Sequence, residues 1–157
     1  MMEIQLCGEQ DCWKVAELYI ELMNEIIGST GGDISVLNPN GAPELCKMLI
    51  SMGALNILKA VHKETREIVG FLSMCESSSL YANGHFGIIQ ELYIRSEYRS
   101  HGVGKNLVGA AIEYAKNKGW KRLEVSTPPL PEFERSLAIY QREGFVITGG
   151  EKLKLLL

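Results

Sequence analysis

The chain has 157 residues, of which 46% are hydrophobic and 22% are charged, and its formal net charge is −3. This size and composition are typical of one globular domain, and the charge argues against a nucleic-acid partner, which usually needs a basic surface. No apolar run is long enough to span a membrane and no signal segment begins the sequence, so we expect a cytoplasmic protein without a membrane partner. The four cysteines form no metal-ligand pattern, so we also expect no metal.

The first half of the chain predicts a strand, two helices and an antiparallel hairpin. The evidence is alternating apolar residues in the strands, apolar spacings of three and four in the helices, and turn-forming residues between them. In chain order these are a strand over 3–6, a helix over 13–27, a loop over 28–41, a helix over 43–52, and strands over 56–62 and 67–76.

The second half predicts alternating strands and helices. In chain order these are a strand over 86–94, a helix over 103–118, a strand over 122–126, a helix over about 132–143, and closing strands over 145–148 and 152–157. Lys116, Lys118 and Gly119 are typical of the C-terminal end of a helix. This order of elements indicates an α/β fold with a mixed sheet.

A glycine-rich turn joins the strand over 86–94 to the helix that follows it. It carries two cations, Arg99 and Lys105, and two glycines, Gly102 and Gly104, that leave room for an anion to approach the backbone. The first turn of a helix also presents unpaired N–H groups and a partial positive charge. The segment therefore predicts a phosphate-binding site.

Two familiar nucleotide-binding motifs do not fit this turn. A Walker loop requires Ser or Thr at the position of Asn106, and a dinucleotide-binding loop requires a third glycine at the position of Leu107. A nucleotide-binding α/β domain is therefore disfavoured.

The turn and one later element together resemble the GNAT superfamily of N-acyltransferases. Arg-x-x-Gly-x-Gly, starting at Arg99, resembles that family's acetyl-CoA loop, and residues 140–145 match its Tyr-x-x-x-Gly-Phe element. The resemblance implies a single GNAT domain over residues 1–157, with a mixed central sheet of splayed strands flanked by about four helices. It also implies acetyl-CoA as co-substrate, with pantetheine between the splayed strands.

Carried onto this sequence, the family pattern assigns ten residues to the coenzyme. Three lie along the strand beside pantetheine and seven belong to the turn: Leu92, Tyr93, Ile94, Arg99, Ser100, His101, Gly102, Val103, Gly104 and Lys105. His101 is included as a flanking donor, although a loop side chain also commonly points to solvent. Phe133 and Ser136 depart from the Asn and Ala that many family members carry, which puts one side-chain contact to pantetheine in doubt.

Two residues are candidates for proton transfer in acyl transfer to an amine. The resemblance implies that Tyr140 donates a proton to the leaving thiolate, whereas its helical position also suits an ordinary core aromatic. Glu91 is the candidate general base because a carboxylate in a strand suited to burial needs a partner or a function, and the alternative is an ion pair or a solvent-facing position. Glu76 and Gln90 are weaker candidates.

The sequence leaves the acceptor and the assembly open. In the family fold the loop over 28–41, which contains Asp33, would lie near the acceptor entrance and act as a lid. The acceptor is a small-molecule or peptide amine, with a polyamine, an amino acid, an antibiotic and a protein N-terminus all compatible. A non-catalytic CoA-binding regulatory module is the alternative function. The apolar residues 153–157 suit either a closing strand of the monomer's own sheet or a strand that makes a homodimer.

Overall fold

The computed structural model describes residues 1–32, 37–128, 130 and 133–157. Its strands and helices, in chain order, are β1 (Met2–Leu6), α1 (Cys12–Thr30), α2 (Ala42–Ser51), β2 (Asn56–His62), β3 (Ile68–Ser79), β4 (Gly84–Ile94), α3 (Val103–Lys118), β5 (Leu123–Val125) and α4 (Glu134–Arg142). Within the described ranges, no helix is both long and apolar enough to cross a membrane.

The five strands form one mixed sheet in the order β1-β2-β3-β4-β5. The first four strands are antiparallel neighbours, and the predicted hairpin of β2 and β3 is confirmed. Strand β5 is parallel to β4, because α3 carries the chain back along the sheet between them. The predicted α/β class with a mixed sheet is therefore confirmed.

Helices cover both faces of the sheet and divide the core in two. On one face α3 and α4 pack against β2, β3 and β4, and the fully buried side chains there include Leu72, Met74, Leu107 and Val108. On the other face α1 and α2 cover a second cluster, which includes Leu18, Leu22, Ile57, Phe71 and Tyr93. Successive residues of β4 thus point to different helical layers.

Strand β4 contains a bulge next to the candidate base. Ser73 of β3 pairs with Glu91 and Met74 pairs with Ile89, so Gln90 is an extra residue. Ile89 packs in the α3 layer, and Glu91 follows the bulge on the face covered by α1.

The edge of β4 that faces β5 is only partly paired. Strand β5 pairs with Gly87, Ile88 and Ile89 alone. Among the described residues, the stretch 90–94 of this edge has no strand beside it. The two parallel strands therefore leave an opening in front of the α3 turn, as the resemblance implies.

The end of α1 and the C-terminal segment differ from the expectations, and part of the predicted lid cannot be compared. Helix α1 continues to Thr30, three residues beyond the predicted end, and residues 33–36 of the predicted lid, including Asp33, lie outside the described residues. The predicted closing strands over 145–148 and 152–157 are wrong, since residues 143–157 contain no strand. The alternating apolar residues there are exposed, Val146 at 77% and Leu155 at 83%. Such a pattern forms a strand only when an edge pairs with it, and here none does.

Candidate active site

The turn before α3 adopts the conformation of an anion-binding loop. Ser100 and Gly102 have left-handed backbones, with φ of 66° and 81°. The first helical bond of α3 runs from the Asn106 N–H to the Gly102 carbonyl at 3.0 Å. The N–H groups of the three preceding residues therefore point out of the helix end, where the helix dipole adds partial positive charge.

The two glycines of the turn meet different requirements. A Cβ on Gly102 would meet no atom of the described residues within 4 Å, so its left-handed φ is what calls for glycine. A Cβ on Gly104 would lie 2.9 Å from Ile139 Cδ1 and 3.2 Å from Ile94 Cδ1. Gly104 thus allows α3 to pack closely against α4 and β4, in addition to the phosphate access expected from the sequence.

Arg99 is held in place by three neighbours. Its Nε donates to the Ile94 carbonyl at 2.7 Å, and its Nη2 donates to Glu25 Oε1 of α1 at 2.7 Å. The guanidinium also lies 5.4 Å from the centre of the Tyr93 ring, within the range of a cation–π interaction. These contacts fix the guanidinium at the mouth of the opening and give its charge a nearby carboxylate.

A cavity of about 550 Å³ lies between the turn, β4 and α4. Nine of the ten residues assigned to the coenzyme line it: Leu92, Tyr93, Ile94, Arg99, Ser100, Gly102, Val103, Gly104 and Lys105. His101, the tenth, is exposed and is not part of the lining.

The opposite wall of the cavity comes from α4 and the residue before it, and the sequence had indicated only two of its members, Phe133 and Ser136. Its residues are Phe133, Arg135, Ser136, Ile139 and Arg142, with Leu22, Glu25, Tyr98 and Pro128 completing the lining. The spacing of Arg135, Ile139 and Arg142 by four and three places them on one helical face, which is the signal that sequence reasoning could have used.

The charges around the cavity suit an anionic ligand. Four cations line it, Arg99, Lys105, Arg135 and Arg142, against a single carboxylate, Glu25, among the described lining residues. Together with the outward N–H groups of α3 and the unpaired edge of β4, this lining fits an elongated ligand that carries phosphate at one end and amides along its length. Within the described ranges, no group of three or more His, Cys, Asp or Glu side chains is placed to hold a metal ion.

Tyr140 lies in the core behind the α4 wall. It is only 3% exposed, and its ring makes an edge-to-face contact with Phe145 at a centroid distance of 5.4 Å. Burial raises the pKa of its hydroxyl, so the group keeps its proton across the physiological range. Tyr140 follows Ile139 directly in α4 but does not itself line the cavity.

Glu91 lies on the face of the sheet covered by α1. Its carboxylate accepts a hydrogen bond from the Ser73 hydroxyl on β3, and the same hydroxyl oxygen accepts the Glu91 backbone N–H at 3.1 Å. Burial raises the pKa of Glu91, while the bond from Ser73 lowers it by a smaller amount. The pKa of Tyr19 on α1 is raised by burial and, secondarily, by the charge of Glu91, which places that side chain near the carboxylate.

The two weaker base candidates have other partners. Glu76 accepts the Trp120 indole N–H at 2.7 Å, and Gln90 donates to Cys75 Sγ at 3.3 Å. Of the carboxylates considered for proton abstraction, Glu91 is half-buried and next to the unpaired edge of β4, whereas Glu76 is exposed.

Comparison with solved structures gives the same fold over nearly the whole chain. A predicted acetyltransferase with acetyl-CoA from Clostridium acetobutylicum is 16% identical with a TM-score of 0.80, covering 99% of this chain and 96% of that one. A ribosomal-protein-alanine N-acetyltransferase from Brucella melitensis biovar Abortus 2308 is 16% identical with a TM-score of 0.76, covering 99% and 100%. An aminoglycoside acetyltransferase from an uncultured soil metagenomic sample is 18% identical with a TM-score of 0.78, covering 100% and 99%.

The family comparison covers the part of the chain that contains the site. The model of the Acetyltransferase (GNAT) family matches residues 44–145, from the second residue after the start of α2 to the aromatic residue beside Tyr140. This match spans well over half of the chain and includes β4, the turn, α3 and α4. The chain belongs to the GNAT acetyltransferase family.

Proposed function

We propose that this protein is an N-acetyltransferase that moves the acetyl group of acetyl-CoA to a primary amine by direct attack in a ternary complex. The observation that carries the proposal is the cation-lined cavity in front of the α3 turn, which continues along the unpaired edge of β4. Acetyl-CoA, when bound, supplies the acetyl group as a thioester whose carbonyl carbon an amine can attack.

The turn and the strand edge provide matched contacts for the two ends of the coenzyme. The α3 N–H groups, with Lys105 and Arg99, suit the pyrophosphate, because backbone donors and cations act together there. The backbone of Leu92, Tyr93 and Ile94 suits the pantetheine amides, because it lies along the edge of β4 that β5 leaves open. His101 is proposed as a flanking contact of the same loop.

Tyr140 is proposed as the proton donor to the leaving thiolate. Its hydroxyl carries the proton at neutral pH, as a general acid must, and burial raises its pKa further above that range. The edge-to-face packing against Phe145 would hold the ring in one orientation in the core, directly after Ile139 of the cavity wall.

Glu91 is proposed as the general base for the amine, either directly or through a water molecule. Burial raises its pKa, which brings the carboxyl closer to the range in which it can take up and release a proton. The hydroxyl of Ser73 orients the carboxylate from the neighbouring strand. The face it occupies, under α1, is separate from the α3 layer in which Tyr140 packs, so acid and base would approach the reacting atoms from opposite sides.

The acceptor is proposed to be a primary amine on a small molecule or a peptide. The solved structures similar in fold include enzymes described as acting on a ribosomal-protein alanine and on aminoglycosides, so the fold accommodates both kinds of acceptor. The test is release of the CoA thiol from acetyl-CoA by purified protein, against polyamines, amino acids, aminoglycosides and N-terminal peptides. Acceptor-dependent release supports the enzyme and names its substrate class. Saturable CoA binding without release for any acceptor would favour the non-catalytic regulatory module.

A further inference from the structure

Two arginines of α4 lie on either side of the contact between α4 and the α3 turn. Ile139 is the residue of α4 that meets Gly104, and Arg135 and Arg142 are four residues before it and three after it. On a helix these spacings place both arginines on the face of Ile139, about one turn or 5 Å to each side along the axis. Both side chains line the cavity.

In the part of the chain that the structure describes, the charges of these arginines are not matched by nearby carboxylates. Arg99 has Glu25 as its ion-pair partner at 2.7 Å. Among the described residues, no carboxylate oxygen lies within 4.0 Å of a guanidinium nitrogen of Arg135 or Arg142. Two cations that face a cavity without carboxylate partners indicate a second place for an anion, separate from the N–H groups of α3.

The coenzyme has a second anionic group at a short distance from its pyrophosphate. In CoA the pyrophosphate is joined to a ribose that carries a 3′-phosphate, so two phosphate sites must lie next to each other in any protein that binds both. The α3 turn and the arginine pair are adjacent in this way because Ile139 packs directly on Gly104. A planar guanidinium is well suited to a phosphate monoester, since its donors match two phosphate oxygens.

We propose that Arg135 and Arg142 bind the 3′-phosphate of CoA and make the protein selective for CoA over 3′-dephospho-CoA. The inference rests on the proposed function, because it requires that the cavity hold the coenzyme. It assigns α4 a specificity role that is independent of the acetyl transfer itself.

The test compares the dissociation constants of CoA and 3′-dephospho-CoA by isothermal titration calorimetry. The wild type should bind CoA at least about tenfold more tightly, as expected for the loss of a charge-assisted contact. The double variant Arg135→Gln/Arg142→Gln should bind the two ligands equally, because only its binding of CoA becomes weaker. Its affinity for 3′-dephospho-CoA should stay within about twofold of that of the wild type. Both side chains are exposed, so the fold should be retained, and thermal unfolding checks this.

A matched control and three outcomes make the test decisive. Lys121→Gln removes an exposed cation three residues after the last residue of α3 and should retain the preference for CoA. Equal binding of both ligands by the wild type overturns the inference and leaves the proposed function intact. Equal weakening of both ligands in the double variant also overturns it, because the arginines would then serve the pyrophosphate or the shape of the cavity. Binding of neither ligand by the folded wild type overturns the proposed function as well.

Discussion

Ile139 of α4 packs on Gly104 of the α3 turn so closely that a Cβ on the glycine would lie 2.9 Å from Ile139 Cδ1. The contact joins the wall of the cavity to the loop proposed to hold the pyrophosphate. It also makes the position of α4 depend on the absence of a side chain at Gly104, so stability and coenzyme binding should change together when that position is enlarged.

Gly104→Val should destabilise the protein and weaken coenzyme binding. The added side chain must displace Ile139 and Ile94, and overpacking of this kind costs roughly 1–3 kcal/mol. Urea unfolding measures the loss, and titration with CoA should show binding weaker by at least about tenfold, because the turn can no longer hold its conformation.

The matched control is Gly109→Ala in the same helix. A Cβ there would have only Glu143 Oε1 as a neighbour, at 4.0 Å. This variant should bind CoA normally and gain roughly 0.5–1 kcal/mol of stability, because alanine is the better helix former. Equal effects of the two substitutions would contradict the packing role of Gly104.

Tyr140→Phe should lower turnover while leaving coenzyme affinity nearly unchanged. The variant keeps the ring contact with Phe145 and removes only the hydroxyl, so kcat should fall about a hundredfold, the usual contribution of a general acid. Steady-state kinetics and calorimetry with acetyl-CoA separate the two effects. Tyr114→Phe, which alters a half-buried tyrosine in edge-to-face contact with Trp120, serves as the control. An unchanged kcat in Tyr140→Phe would remove this residue from the reaction.

Glu91→Gln should change the pH dependence of the reaction. Because burial raises the pKa of Glu91, the acid limb of the wild-type kcat/KM profile should lie above the normal pKa range of a glutamate. In Glu91→Gln this acid limb should disappear and kcat/KM should be lower. The acceptor for this measurement should be a weakly basic amine, so that the acceptor's own ionisation lies outside the pH range of the acid limb. Glu76→Gln should retain the wild-type profile, since that carboxylate is engaged by Trp120. The same acid limb in wild type and Glu91→Gln would exclude Glu91 as the base.

The same carboxyl should also make stability depend on pH. Its folded pKa is raised above the unfolded value, so the neutral form favours folding and this contribution is lost as the pH rises through the folded pKa. Glu91→Gln should therefore gain stability relative to the wild type between about pH 4 and pH 8. Urea unfolding of both proteins at the two pH values measures the difference. A stability of Glu91→Gln, relative to the wild type, that falls with rising pH would be inconsistent with a raised pKa of Glu91.

Asp11 and Lys59 form a largely buried ion pair that should be a major determinant of stability. Lys59 Nζ donates to Asp11 Oδ2 at 2.8 Å, their side chains are 13% and 11% exposed, and the same oxygen accepts the Gly8 N–H at 2.9 Å. Asp11→Ala leaves the lysine buried without its partner and should cost roughly 3 kcal/mol in urea unfolding. The double variant Asp11→Ala/Lys59→Met should recover part of that loss. Full additivity of the two single substitutions would show that the pair is not coupled.

The turn and α3 could be predicted from the sequence because their signals are local. The apolar spacing of the helix and the glycines of the turn lie within a few residues of the structures they specify. Gly119 has the expected left-handed φ of 74° and its N–H closes the helix end. Nine residues assigned to the coenzyme accordingly lie together in one cavity.

The remaining parts of the site depend on contacts between distant segments. The ion pair of Glu25 with Arg99 joins residues 74 positions apart, and no pattern near either residue indicates it. The bulge at Gln90 determines which face of the sheet Glu91 occupies. The sequence does not reveal the bulge, because the alternation of a regular strand assigns every successive residue to the opposite face. The closing strands were predicted from the local sequence of residues 145–157 and the expected order of elements, and a strand also requires a partner edge.

The most direct test of coenzyme binding at the turn is calorimetric titration of acetyl-CoA into the wild type, Lys105→Glu and Lys121→Glu. Both lysines are exposed, Lys105 in the first turn of α3 and Lys121 three residues after its last residue, so neither substitution should disturb the fold. We expect saturable binding at one site per chain, weaker by at least about tenfold in Lys105→Glu and unchanged in Lys121→Glu. Absence of binding by the folded wild type, or equal affinities in all three proteins, would contradict a coenzyme site at the α3 turn.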